Sequence, residues 1–418
     1  MAILEYYKKE RVKFLDQCIQ CGVCADNCPI LPYTDLKEPA PKIQEAVFDS
    51  VENGTFNHLA YTKAFACMEC FRCTTDVCPQ DLNPMLINEL IKGVFISQGM
   101  APSHFSDSQG AESPQRIIAR VQVSENEYQR ITTTSPKQEV EYVFFPGCNV
   151  YFQPEKILNA LDIMDYIGDS YAFLPGLDNC CGDNQLFFGL QQQGSLTADK
   201  LIAKLCGYNP KAIILWCPTC HCRFHKYIAS STDVQFKVIS FPQYLAGNIK
   251  KLPLAEDSAD KILTLHEPCK SAYTGTDPDG PRQVLSQLPN VELKEMEHHG
   301  ANTLCCGSGA ACWFPDSCSQ IQSYRLREAK QTGAKQMVTI CHYCNQTFAS
   351  KATGLDIEVV NYVNLIAELM GIHRQDKYKK YAHWNDLELI LNDIGSNIED
   401  TPFEREKIIA TLRSLFVK

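Results

Sequence analysis

The chain has 418 residues, enough for two or three domains with separate cores, and its 45% hydrophobic and 21% charged residues are ordinary for a globular protein. A net charge of −10 excludes the basic stripe that nucleic-acid binding demands. MAILEYYKKERVKF carries no apolar leader and no run approaches the ~18 uncharged apolar residues of a spanning helix, so a cytoplasmic protein is expected, with any membrane link made through a partner.

Residues 1–99 read as short helices between cysteine clusters. EYYKKERVKFLDQ, PKIQEAVFDSV and HLAYTKAFA place apolar residues at helical spacing, and DLNPMLINELIKGVFIS opens with Asn83 as N-cap and Pro84 at the first helical position. Residues 100–139, rich in Ser, Gln and Pro, read as a linker with one short helix. From 140 onward apolar runs alternate with helical patterns: YVFF, YAFL, AIILW and FKVISF, then KILTL, VELKEM, QMVTI and DIEVVNYV. That alternation predicts parallel strands buried on both faces. The order recurs, and corresponding cysteines keep a near-constant offset: 121 from Cys148 to Cys269, 125 from Cys180 to Cys305, 124 from Cys217 to Cys341. A duplicated α/β pair is therefore expected at 140–252 and 258–373, followed by a charged helical extension at 374–418 with no chemistry of its own.

The 22 cysteines, in a reducing compartment, point to metal or redox chemistry and not to disulfide staples. CIQCGVCADNCP places Cys18, Cys21, Cys24 and Cys28 at the spacing C-x2-C-x2-C-x3-C-P. CMECFRCTTDVCP repeats it with Cys67, Cys70, Cys73 and Cys78, departing by one extra residue in the last gap. Three thiolates so spaced wrap one corner of an iron–sulfur cube while the fourth ligates the other cube. The spacing thus assigns one [4Fe–4S] cluster to Cys18, Cys21, Cys24 and Cys78, and another to Cys67, Cys70, Cys73 and Cys28. Pro29 and Pro79 turn the chain away after each crossing cysteine. Zinc, which favours two C-x-x-C pairs and four ligands, is the competing reading and fits two such runs poorly. An all-α, ferredoxin-like domain with two cubane clusters is the expectation for 1–99, and such paired cubes carry single electrons.

Ten more cysteines form two sets of five: Cys148, Cys180, Cys181, Cys217 and Cys220, then Cys269, Cys305, Cys306, Cys341 and Cys344. Cys148, Cys217, Cys269 and Cys341 each fall just past the carboxyl end of an expected strand, where open parallel sheets collect ligands. Five thiolates exceed the four ligands of a tetrahedral zinc or an ordinary cube.

PGC, NCCG and CPTC in the first half, and HEPC, LCCG and CHYC in the second, resemble the cysteine-rich proteins of heterodisulfide reductase type. The resemblance covers about 10–98 (the C subunit) and 140–372 (the B subunit), joined as in the fused D subunit. It implies that each set of five cysteines holds a non-cubane [4Fe–4S] cluster and that a disulfide lies between the two during reduction. It implies a catalytic role for all ten residues, in an oxidoreductase subunit that cleaves a small disulfide such as the coenzyme M–coenzyme B heterodisulfide. Electrons would come from a flavin-containing subunit, hydrogenase, formate dehydrogenase or membrane cytochrome. Relatives that serve glycolate, lactate or glycerol-3-phosphate dehydrogenases keep only part of the set, so a quinone-linked electron-transfer subunit is the alternative.

Cys206, Cys222, Cys312 and Cys318 are left over, and Cys206, Cys222 and Cys312 read as packing residues. His221, His266 and His342 neighbour the motifs and are expected to orient cluster sulfurs rather than to donate protons. Gly182 and Gly307 are expected at positive φ or a close backbone approach. No P-loop, G-x-G-x-x-G or Ser/His/Asp pattern is found.

Overall fold

The computed structural model describes residues 2–75, 77–100, 110–230, 234, 236–256 and 259–417; the boundaries placed at 1, 258 and 418 and the stretch 101–109 lie outside them. Helices Ala2–Gln17, Ala40–Asn53, His58–Phe65 and Pro84–Ser97 frame the N-terminal region. Asn57 and Asn83 cap two of them, their side chains accepting from the Leu59 and Leu86 amides. Phe14, Val47, Val51, Ala64, Phe65, Ile91 and Phe95 form the shared core.

Two four-stranded parallel sheets follow. The strands are β1 Tyr142–Phe145, β2 Tyr171–Phe173, β3 Ala212–Leu215 and β4 Lys237–Ser240, then β5 Lys261–His266, β6 Val291–Leu293, β7 Gln336–Thr339 and β8 Glu358–Asn361. Their orders, β2-β1-β3-β4 and β6-β5-β7-β8, are the same topology twice. Tyr142 pairs with Ala212 in one and Leu263 with Gln336 in the other, which fixes Phe145 and His266 as equivalent positions. Successive side chains leave opposite faces of a strand. Phe144, Ile214, Leu263, Leu265 and Val338 enter one core shared by both sheets. Val143, Phe145, Ile213 and Leu215 face outward under helix Gln191–Cys206, and Met337 and Val359 face outward into a cluster that also contains residues 25–71 of the N-terminal region.

The segment read as a linker is more structured than expected. It carries two helices, Pro114–Gln122 and Glu125–Thr132, and Ile117, Ile118 and Val121 are fully buried. They pack on Tyr381, Ile390, Ile408, Leu412 and Phe416 of the C-terminal helices Lys377–Trp384, Leu387–Ile394 and Arg405–Phe416. The three-residue apolar stripe was too short, amid Ser, Gln and Pro, to register as a core face.

Candidate metal centres

Every cysteine is a free thiol, and eighteen of the 22 gather in four groups. Cys18, Cys21, Cys24 and Cys78 line one cavity, together with Gln44 and Pro79. Gln44 spans it: its Nε2 donates to Cys18 Sγ at 3.6 Å and its Oε1 accepts from Cys24 Sγ at 3.0 Å. Burial pushes the Cys24 thiol up to about 11. Cys28, Cys67, Cys70 and Cys73 form the second group, in which Cys28 and Cys67 each act on Cys73, and Cys28 and Cys73 act on Cys70. Lys63 is buried between the two groups: burial alone would lower its ammonium, but Cys24, Cys28, Cys73 and Cys67 outweigh that and raise it. Both crossing cysteines therefore stand beside the other run's triplet.

In each half the five thiols form one continuous chain. Cys148 meets Cys180 at 4.0 Å, Cys180 neighbours Cys181, Cys220 donates to Cys181 at 3.3 Å, and Cys220 also bonds Cys217. In the second half Cys269 donates to Cys305 at 3.6 Å, followed by Cys306, Cys344 and Cys341 in the same order. The electrostatics are duplicated too. Hydrogen bonds from Cys180 and Cys220 pull Cys181 down to about 5, and bonds from Cys305 and Cys344 lower Cys306. Cys217 and Cys341 are lowered chiefly by Cys220 and Cys344, whereas the four donors Cys180, Cys220, Cys305 and Cys344 are raised. Raised and lowered thiols thus alternate along each chain, and a cationic iron centre would take them all as thiolates.

The adjacent cysteines are possible because the next residue is glycine. Gly182 and Gly307 have φ of 81° and 72°. A Cβ at Gly182 would stand 2.3 Å from Gly194 O, so the turn admits no other residue.

The two sets approach one another through their third strands. Cys217 and Cys341 act on each other, and His342, which follows Cys341, faces Cys217 across the halves. Burial lowers the His342 imidazole, but Cys217 and Cys341 overcome it and raise the pKa from 6.5. His266 Nδ1 accepts from Arg325 Nε at 3.1 Å, and the imidazole lies within 4.8 Å of Cys306 and Cys344. His221 is held neutral by burial, its pKa lowered to about 4.

Of the leftover cysteines, Cys222 and Cys318 are buried, but Cys206 and Cys312 are exposed and do not pack. In Gln191–Cys206 the buried stripe runs through Ala198, Leu201 and Leu205, which turns Cys206 outward.

Sequence reasoning missed a buried ionic knot. Arg223 donates to Glu69 Oε2 at 3.1 Å, Glu89 Oε2 at 3.3 Å and Asp183 Oδ1 at 2.5 Å. Lys270 reaches Glu69 Oε2 at 3.3 Å and Asp183 Oδ1 at 3.4 Å, and Tyr7 OH donates to Glu89. Burial and Glu89 raise the Glu69 carboxyl to about 8, while Lys270 and Arg223 hold Asp183 down against its burial. Part of the signal was there: Glu69, Asp183, Lys270 and Arg223 sit beside cysteine motifs, in CMEC, CCGD, EPCK and CHCR, whereas nothing marks Glu89.

Family models match the segments that carry these cysteines. A family model described as "Cysteine-rich domain" matches residues 142–225 and 263–349, and one described as "4Fe-4S dicluster domain" matches 14–82. The chain is similar to the D subunit of the dihydromethanophenazine:CoB–CoM heterodisulfide reductase of Methanosarcina barkeri, at 23% identity over 398 residues, covering 86% of this chain and 94% of that one. It is also similar to the B subunit of the fumarate reductase (CoM/CoB) of Methanothermobacter marburgensis, at 23% over 383 residues with 85% and 72% covered. The EtfAB:quinone oxidoreductase of Syntrophomonas wolfei matches at 21% over 424 residues, with 85% and 58% covered. No helix among the described residues is long and apolar enough to cross a membrane.

Proposed function

We propose that this chain, which belongs to the heterodisulfide reductase family by its dicluster domain fused to two cysteine-rich domains, is the disulfide-cleaving iron–sulfur subunit of a larger complex. The observation that carries this reading is the pair of five-thiol chains, one in each half, whose Cys217 and Cys341 flank the contact of Trp216 with His342, ring centroids 6.2 Å apart.

The helical region 1–99 acts as a ferredoxin-like domain with two cubane [4Fe–4S] clusters, one on Cys18, Cys21, Cys24 and Cys78 and one on Cys28, Cys67, Cys70 and Cys73. The two cysteine-rich domains, 140–252 and 258–373, each hold a non-cubane [4Fe–4S] cluster. The donor sets fit: each offers cysteine sulfurs as its ligands, gathered in one cavity or one buried cluster. When bound, these clusters supply one-electron steps and iron sites with affinity for sulfur.

The rest is the protein's part. Gln44 orients Cys18 and Cys24 from one amide, and Lys63 sets a fixed positive charge between the N-terminal sets. Ser308 Oγ lies 2.9 Å from Cys306 Sγ, and the His266 imidazole stands within 4.8 Å of the same sulfur. His342 packs edge to face on Trp216, the neighbour of Cys217, with ring centroids 6.2 Å apart, and so fills the seam between the halves. The substrate is a small disulfide, such as that of coenzyme M and coenzyme B, lying in the seam between the sets. A partner protein supplies the electrons: a flavin-containing subunit, hydrogenase, formate dehydrogenase or membrane cytochrome. Similarity to an electron-transfer flavoprotein:quinone oxidoreductase favours a second reading, in which the chain hands electrons to quinone and binds no disulfide.

Anaerobic purification followed by iron and sulfide analysis is the first test, with about 16 iron atoms expected from four [4Fe–4S] clusters. Stoichiometric zinc without sulfide would end this account. EPR with added thiol under oxidising conditions separates the two readings. Cubane signals alone, unmoved by thiol, would leave the quinone-linked one.

A further inference from the structure

The two cysteine-rich domains are duplicates, yet the N-terminal region docks on them in different ways. The loop that carries Cys67 and Cys70 is packed into the outer face of the second half. One continuous buried cluster contains Cys67 and Cys70 together with Cys269, Cys305, Cys306, Cys341 and Cys344, and Cys28 and Cys73 pack against it. The cluster around Cys181, Cys217 and Cys220 of the first half contains no residue from 1–99.

The contacts are specific. Cys269 is, after burial itself, the largest influence raising the Cys70 thiol. Arg72 Nη1 donates to Tyr273 OH at 3.0 Å, and Thr75 Oγ1 donates to Tyr273 O at 2.5 Å, one helical turn past Cys269. Gly309, in the turn after Cys305–Cys306, lies so close to Met68 that a Cβ there would stand 2.7 Å from Met68 O and 3.0 Å from its Cα. Met68 lies between Cys67 and Cys70. The first half has Asn184 at the position of Gly309, a side chain that this approach forbids. The first half reaches that loop through a side chain, Arg223 Nη2 on Glu69 Oε2 at 3.1 Å, and its close backbone contact is elsewhere, on the helix Pro84–Ser97: a Cβ at Gly93 would meet Gly189 O at 2.7 Å.

We infer that the second cysteine-rich domain is the sole port of electron entry from the N-terminal region, and that the first is reached only through it. This rests on the reading of the four thiol groups as iron–sulfur sites. Each transfer moves one electron from the Cys28, Cys67, Cys70 and Cys73 set to the Cys269 set, with no bond made or broken and no proton exchanged. The next moves it from the Cys341 end to Cys217, where the halves meet through Trp216 and His342, the neighbours of those two cysteines, whose rings pack edge to face with centroids 6.2 Å apart. The electron comes from a one-electron reductant outside the chain. Gly309 and Tyr273 are positioning residues in this route.

The test follows electron arrival and not turnover. The full chain, reconstituted anaerobically with iron and sulfide, is mixed with a reduced bacterial ferredoxin, without disulfide, and followed by freeze-quench EPR and Mössbauer spectroscopy. Cys180→Ala, which removes the first-half centre, should leave arrival at the second half within twofold of the unaltered chain. Cys305→Ala, which removes the second-half centre, should slow arrival at the first half at least tenfold. Gly309→Asn keeps every cysteine and should slow arrival at both halves at least tenfold, with iron content and N-terminal reduction unchanged. Gly93→Ala, which presses only on the first-half contact, should change neither rate by more than twofold. First-half reduction at the unaltered rate in Cys305→Ala, or second-half reduction at the unaltered rate in Gly309→Asn, overturns the inference. A chain that shows this order of arrival but leaves added disulfide intact would overturn the reductase reading and leave the inference standing.

Discussion

The first and second cysteine-rich domains share a strand order and a thiol chain, but not the ground beneath them. Phe145 and Leu201 of the first half lie in an apolar cluster below Cys181. At the equivalent places the second half has His266 and Arg325, both with no exposed surface. Arg325 bonds His266 Nδ1, the His298 carbonyl at 2.6 Å and Glu328 at 2.9 Å, and His266 presents its other edge to Cys306. One scaffold thus carries two chemically different sites. Duplication supplied the ligand geometry, and substitution beneath it made the second site the more polar of the two. The difference matches the asymmetric docking of Met68 on Gly309.

The comparison can be broken most severely by Arg223→Met, which would leave Glu69, Glu89 and Asp183 buried against one fewer cation. Breaking a buried pair costs about 3–5 kcal/mol, and anaerobic thermal denaturation should show it. Arg223→Lys, which keeps the charge but not the fork, should lose less. Next in size is Arg325→Leu, which imports the first-half residue alone and leaves the buried Glu328 only His298 as partner; about 3 kcal/mol is expected. The double variant His266→Phe/Arg325→Leu should recover only the packing part of that loss in denaturant titration, because Glu328 stays buried with His298 as its remaining partner. If it does not, the two grounds are not interchangeable.

Core truncations sharpen the same contrast. Ile214→Ala and Val338→Ala occupy the same position on β3 and β7, both buried, and Ile214→Ala should cost about 2–5 kcal/mol. Comparable costs in urea would show that the sheets are equally rigid and that the asymmetry lies in the polar ground alone. The smallest effect is one of pH, away from the thiols. Burial raises Glu155 to about 6, against 4.5 in an open chain. Between those values the unfolded chain is ionised and the folded one protonated, so stability falls as pH rises across the window. Its full extent is about 2 kcal/mol. Glu155→Gln should flatten that slope without altering the iron content.

Much of this was legible in the residues. Apolar runs such as AIILW and QMVTI became β3 and β7, and Asn83 and Pro84 opened their helix as the capping pattern requires. That Cys148, Cys217, Cys269 and Cys341 fall just past the carboxyl ends of β1, β3, β5 and β7 followed from the parallel pattern. What the residues hid was everything between distant segments. Glu69, Glu89, Asp183 and Arg223 are ordinary charges until the fold removes water from all four. Ile117, Ile118 and Val121 become a core only when the C-terminal helices close over them, and nothing local announces that partner. Cys206 and Cys312 look like packing residues by type, but helix phase and loop position turned them to solvent.

The ionic knot has one more consequence, for how the protein responds to salt. Mobile ions screen charges that face water over about 10 Å at 0.1 M ionic strength, but screen buried pairs much less. Arg223, Glu69 and Glu89 are only 5%, 2% and 0% exposed, so the seam joining the N-terminal region to the two halves stays closed at ionic strengths that separate surface-docked electron carriers. The half-exposed Cys18, Cys21 and Cys78, with Ile19 61% exposed beside them, have no such cover. Traffic inside the chain is insulated from salt, and exchange with an outside carrier at that end is not.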